Sequence, residues 1–203
     1  MHRGKNNAED AMNFHATDLN FKLPEPSPLD VVLGEIHACL KAGLPYAALH
    51  LALSIPDVCS SAETDPEGEA RWKQTQKRYI GWCEKFLSPK FSTFNATDCW
   101  ALRGGVLHNG NLTGHSASKY DDVMFTLGGT VVIDECISIS NGGTNRSGIA
   151  LDINRFCDRM VQAAHEWLEQ SAANDLVKQN LEHLVRFRPQ GRSPHIVGVP
   201  LIS

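Results

Sequence analysis

What most constrains the fold of this chain is the point at which its apolar residues stop recurring at helical intervals and begin to alternate. From Leu29 to Leu107 they return every three or four positions, as one face of a 3.6-residue helix requires. Leu29, Val32, Leu33, Ile36 and Leu40 form the clearest run. Ser27-Pro-Leu-Asp30 ahead of them has the Ser cap, first-turn Pro and following acid of a helix start. Gly43 stops this helix, and Pro45 opens a second through Ala47, Leu49, Ala52 and Leu53, which Pro56 is expected to disturb or end. After the Asp65-Pro-Glu-Gly68 turn, Trp72, Tyr79, Ile80, Cys83, Phe86 and Leu87 make an aromatic stripe on a helix of about five turns. Asn95 and Asp98 are spaced to cap a fourth helix, which carries Cys99, Trp100, Leu102, Val106 and Leu107 and ends at Asn109-Gly110-Asn111.

Beyond that turn the residues become β-branched. Segments 123–127 and 130–139 read as two strands joined at Gly128-Gly129, a hairpin over about residues 121–140 with Val131, Ile133, Ile137 and Ile139 on one face. Helical spacing returns with Ile153, Phe156, Cys157, Met160, Ala164 and Trp167, and again with Leu176, Val177, Leu181 and Leu184. The tail from Pro189 to Ser203 is irregular and apolar at its end, and is expected to pack back on the body. Residues 1–26 are polar and read as a flexible N-terminal arm. The expected organisation is that arm followed by a single mainly α domain over 27–203, a helical bundle with a late β-hairpin insertion.

A net charge of −4 excludes global attraction to nucleic acid or anionic lipid, so any polyanion site must be local. The first 28 residues hold no apolar stretch of a secretory signal, and no run reaches the length of a membrane span. The expectation is a cytoplasmic protein without a membrane partner. The six cysteines are widely spaced with no Cys-x-x-Cys pair, as expected of reduced thiols, most of them buried. The histidines lie on separate elements, with no His-x3-His pair, so no metal and no other cofactor is expected. Gly-rich phosphate loops and nucleophile motifs are absent too.

One segment looks built for chemistry: Asp98-Cys-Trp-Ala-Leu-Arg103-Gly-Gly-Val-Leu-His108-Asn-Gly110. An imidazole that titrates near neutrality can take a proton from a ribose 2′-hydroxyl or give one to a leaving oxygen. A guanidinium can grip the phosphate with two hydrogen bonds and offset the charge of the transition state. Arg103 and His108 are therefore the candidate catalytic pair. Asn109 is a candidate site-shaping group and His115 a candidate substrate contact, with Lys119 and Tyr120 in a loop that could lie over the site. At roughly 100° per residue the pair sits about 140° apart around an α-helix, so it does not share one face. A reaching Arg or a second subunit would then be needed. Gly104 and Gly105 suggest close approach of another helix or a ligand. The acids from Asp57 to Glu69 read as a solvated stretch, and Arg71, Lys73, Lys77 and Arg78, with Arg186, Arg188 and Arg192, as solvated basic faces.

The Arg-x4-His pattern on a late helix of a small bundle resembles the HEPN superfamily. The resemblance implies a symmetric homodimer with Arg103 and His108 at its interface, and metal-independent ribonuclease chemistry on RNA. It further implies a toxin–antitoxin type of setting, with a cognate antitoxin or regulatory protein as partner. Other members of that superfamily have lost catalysis, so the alternative is a non-catalytic interaction module of unknown partner. HEPN nucleases usually carry Asn, Asp or His directly after the Arg, where this chain has Gly104. A second resemblance, carried by Ile55-Pro-Asp-Val-Cys59, Arg78-Tyr-Ile-Gly-Trp82, Asp98-Cys-Trp-Ala-Leu-Arg103, Leu107-His-Asn-Gly110 and Arg186-Phe-Arg-Pro189, is to a family of bacterial proteins with no assigned activity, over roughly residues 30–203.

Overall fold

The structure is a computed structural model that describes residues 27–68, 73–112, 118–130, 132–140 and 146–203. Trp72, Arg71 and His115 lie outside the described residues, as do the N-terminal arm and the Asn141 to Asn145 turn.

The first helix, α1 (Pro28–Lys41), begins as its sequence dictates: the Ser27 hydroxyl accepts from the Asp30 backbone N–H at 3.1 Å, and Asp30 accepts from the Ser27 N–H in return. Leu29, Leu33 and Ile36 fill its buried face. Gly43, at φ +72°, turns the chain into α2 (Pro45–Ala62). Pro56 neither ends nor interrupts this helix, which runs on to Ala62. Pro56 is buried, as are Ala52, Leu53, Ile55 and Cys59, and this packing outweighs the one ladder hydrogen bond that a proline cannot donate. α2 is the central helix of the fold. It packs against α1, against α3 (Thr75–Trp82), and against α5 (Ile153–Ser171) and α6 (Asp175–Glu182) near the C terminus.

A π turn over Cys83–Leu87 extends α3, and α4 (Ala96–Gly104) follows. The Asn95–Asp98 capping box forms as expected, with the Asp98 N–H donating to Asn95 Oδ1 at 2.9 Å. Tyr79 is fully buried, its ring edge-on to Trp100 at 5.3 Å and its hydroxyl donating to the Leu53 carbonyl. A second aromatic group joins Phe91, Phe94 and Phe125 around the buried Phe156 of α5. Among the described residues the chain is mainly helical, and no helix is long and apolar enough to cross a membrane.

The β region differs from the expected hairpin. β1 (Asp122–Thr126) does not pair with β2 (Cys136–Ser140); both flank a third strand, β3 (Arg146–Asp152), giving the order β1-β3-β2. β1 runs parallel to β3 and β2 antiparallel to it. Ile149 and Leu151 of β3 are fully buried, so the strand most continuous with the core takes the centre. The intervening segment is tied elsewhere. Glu135, at φ +52°, accepts from the backbone N–H groups of Ser92 and Thr93 at 2.7 Å each, and Asp134 pairs with Arg159 of α5 at 2.8 Å. Ile137 and Ile139, read from the sequence as sharing one face of a strand, stand exposed on the edge strand, and Cys136 beside them is the exposed cysteine.

The tail is also more regular than expected. It forms two short ladders, β4 (Phe187–Arg188) with β7 (Leu201–Ile202) and β5 (Gly191–Arg192) with β6 (Ile196–Val197). Hydrogen bonding of the tail to itself turns Phe187, Val197, Val199 and Ile202 outward instead of onto the body.

Candidate functional site

Arg103 and His108 touch. The Arg103 Nη1 lies 2.6 Å from His108 Nε2, although the two would not share a face of a regular α-helix. The helix itself supplies the explanation. α4 ends at Gly104 and continues as a π turn over Gly105–Asn109, in which hydrogen bonds run i→i+5. The wider turn brings the residue five positions on back over the residue it follows. Within one chain, the far end of the Arg103 side chain reaches His108 without a second copy.

Gly105 allows the turn. A Cβ there would stand 2.7 Å from the carbonyl oxygen of Asn111, whose N–H donates to the Gly105 carbonyl at 3.1 Å. The close approach is by the chain's own return, not by another helix or a ligand. Gly110, at φ +63°, then takes the left-handed position that ends the helix.

Three groups hold the guanidinium. Its Nε donates to Asp57 Oδ2 at 2.9 Å, its Nη1 to His108, and its plane lies 5.1 Å from the Trp100 ring centre. Since Arg can only donate, His108 Nε2 is the acceptor in this contact and carries no proton there. Arg103 is 16% exposed and Asp57 23%, while His108 is exposed. The pair thus has a sheltered cation and an accessible imidazole. Burial raises the Asp57 carboxyl above its ordinary value, and nearby Arg103, Arg78 and His108 pull it down less strongly.

Asp57 and Trp100 belong to the site although neither stands out from spacing. The available signal was local: Asp57 is an acid inside the apolar run Leu53 to Cys59 of a helix, where a charge needs a partner. It is not part of a solvated stretch. The other candidates fall away from the pair. Asn109 is exposed at the end of the π turn and hydrogen-bonds to neither Arg103 nor His108. Lys119 and Tyr120 do not lie over the site: both donate to the Thr93 carbonyl, and Ser118 and the Lys119 N–H donate to the buried Asp98 at 3.0 Å each. That places them at the opposite end of α4, where Asp98 lies five residues before Arg103, about 8 Å of rise at 1.5 Å per residue. Among the described residues, no three His, Cys, Asp or Glu side chains converge as a metal site would require. Arg186 pairs with Glu182, and Arg188 donates to Ser203.

Compared with known protein families, curated proteins and solved structures, the chain gives no match.

Proposed function

We propose that the chain is a HEPN-like, metal-independent ribonuclease acting through His108 and Arg103. The observation that carries this reading is the 2.6 Å contact between a sheltered guanidinium and an accessible imidazole with an unprotonated Nε2. A phosphate entering beside Arg103 competes for its Nη groups and releases that lone pair. His108 is then the base for the ribose 2′-hydroxyl, whose oxygen attacks the phosphorus as the bond to the 5′-oxygen breaks; the proton taken by His108 passes to that leaving oxygen, and the guanidinium bears the charge gathered on the phosphate oxygens. Asp57 and Trp100 hold the guanidinium in place so that this arrangement exists before substrate arrives. DNA lacks the hydroxyl and is not cleaved.

The test is cleavage of RNA by purified protein in the presence of a chelator. His108→Ala should lose at least about 100-fold in rate. Undiminished cleavage by the variant would sink the proposal. A second reading, a non-catalytic interaction module, draws on one observation: Asp57 and His108 already satisfy Arg103 within the chain. That module would bind its partner equally well with or without His108 and would leave RNA intact. Homodimer formation, a cognate antitoxin and a cytoplasmic setting belong to this proposal too, through the HEPN resemblance.

A further inference from the structure

A cavity of about 380 Å³ opens between the first turns of α2 and the far side of the π turn. This is near the lower end of the roughly 300–1,000 Å³ typical of small-ligand sites. Its walls combine apolar and polar groups. Tyr46 and Phe125 contribute aromatic rings, Leu49 and Val106 aliphatic surface, and His50 and Asn111 polar groups. Phe125 is braced edge-on against Phe156 at 5.3 Å, so it is a fixed wall, whereas Tyr46 is 80% exposed.

The His50 ring has one defined tautomer in its neutral form. Its Nδ1 lies 2.7 Å from the Tyr46 carbonyl, which can only accept, so Nδ1 carries the proton and Nε2 is left as an acceptor. An occupant of this cavity meets aromatic faces, an imidazole acceptor and an amide able both to donate and to accept. Planar heteroaromatic rings with mixed donors and acceptors on their edge satisfy all three.

The cavity is also next to the Arg103 site. Val106 and Gly110 in its wall flank His108 on the same turn of chain. On α2, His50 and Asp57 are seven residues apart, so they lie on one face at about 10 Å of rise, a gap that a short piece of extended single strand crosses.

We infer that this cavity is a nucleobase site, taking one unstacked base of single-stranded RNA beside the phosphate that Arg103 holds. The inference rests on the proposed function for its link to cleavage. A base in a duplex has its faces stacked and its edge paired, so duplex RNA cannot fill the site.

The experiment is a titration of the whole protein with nucleoside 5′-monophosphates and with ribose 5-phosphate, read by amide and imidazole NMR shifts. Nucleotides should shift His50 and Asn111 as well as Arg103 and His108; ribose 5-phosphate should shift only the latter pair. Tyr46→Ala should weaken nucleotide binding about ten-fold, as loss of a stacking ring does. Tyr46 is exposed, so the fold is unaffected, and His50→Ala gives an independent second variant. Unchanged nucleotide affinity in both variants, or equal affinity for ribose 5-phosphate and the nucleotides, overturns the base site. RNA cleavage measured alongside separates the two ideas. Cleavage that is lost in His108→Ala but indifferent to Tyr46→Ala and His50→Ala refutes the base site alone. Nucleotide binding at His50 without any RNA cleavage refutes the nuclease and upholds the site.

Discussion

At Arg103 a single side chain satisfies an acid, an imidazole and an indole at once, and each contact makes a different demand on it. Lysine would keep the charge but cannot donate to Asp57 and His108 from one rigid fork. Under the proposed ribonuclease function, Arg103→Lys is therefore expected to fold and to cleave RNA at least about 100-fold more slowly, measured as single-turnover rate. Asp57 has a pH signature. Burial raises its carboxyl above 3.8 in the folded chain, so the folded state keeps this proton at pH values where the unfolded chain has lost it. The contribution of Asp57 to stability is thus greatest below the unfolded value. It declines as the pH rises to the raised value and is constant beyond it. Denaturant unfolding of wild type and of Asp57→Asn, followed from acid towards neutral pH, should show the difference moving against wild type over that window. A difference independent of pH would contradict the raised carboxyl.

The element that makes the site is the π turn over Gly105–Asn109. Alanine is a better helix former than glycine by about 1 kcal/mol, which alone would make Gly105→Ala stabilising. Here the new methyl meets the Asn111 carbonyl oxygen at 2.7 Å, and the N–H of the same residue is tied to the Gly105 carbonyl, so the turn has to shift. Overpacking of this kind costs about 1–3 kcal/mol and should win. The expected outcome is a lowered denaturation midpoint together with a changed His108 imidazole signal; a more stable protein with an unaltered imidazole would refute the close approach. The third strand shows the same limit of local reading. Gly148 and Ala150 weaken the alternating signal of β3, yet Ile149 and Leu151 put it in the centre of the sheet. A strand is placed by what it buries and by both its neighbours, and β1 pairs with it in parallel across a gap that no tight turn can make.

At the scale of the molecule the sheet and the helices share one core through Phe156, whose ring meets Phe91, Phe94 and Phe125 of β1. Phe156→Ala should lower unfolding free energy by about 3–5 kcal/mol in denaturant titration. A loss below 1 kcal/mol would mean that the sheet is not docked through this ring. Because α2 touches most of the other helices and also carries Asp57, stability and site geometry are coupled in one element.

Several features were decided by sequence alone. The two capping boxes, at Ser27–Asp30 and Asn95–Asp98, depend on residues three apart, and the apolar stripes of α1 and α5 follow from 3.6-residue periodicity; both are local physics, whereas the expected five-turn helix through Leu87 passes into a π turn at Cys83. Tertiary structure decided the rest. Pro56 stays helical because its surroundings are packed, Glu135 leaves the strand because backbone donors 42 and 43 residues away claim its carboxylate, and Asp57 becomes a partner of Arg103 across 46 residues. Arg103 and His108 were legible as residues but not as a pair. Their contact accompanies a widened turn, in which the returning chain at Asn111 occupies the space that a side chain at Gly105 would need.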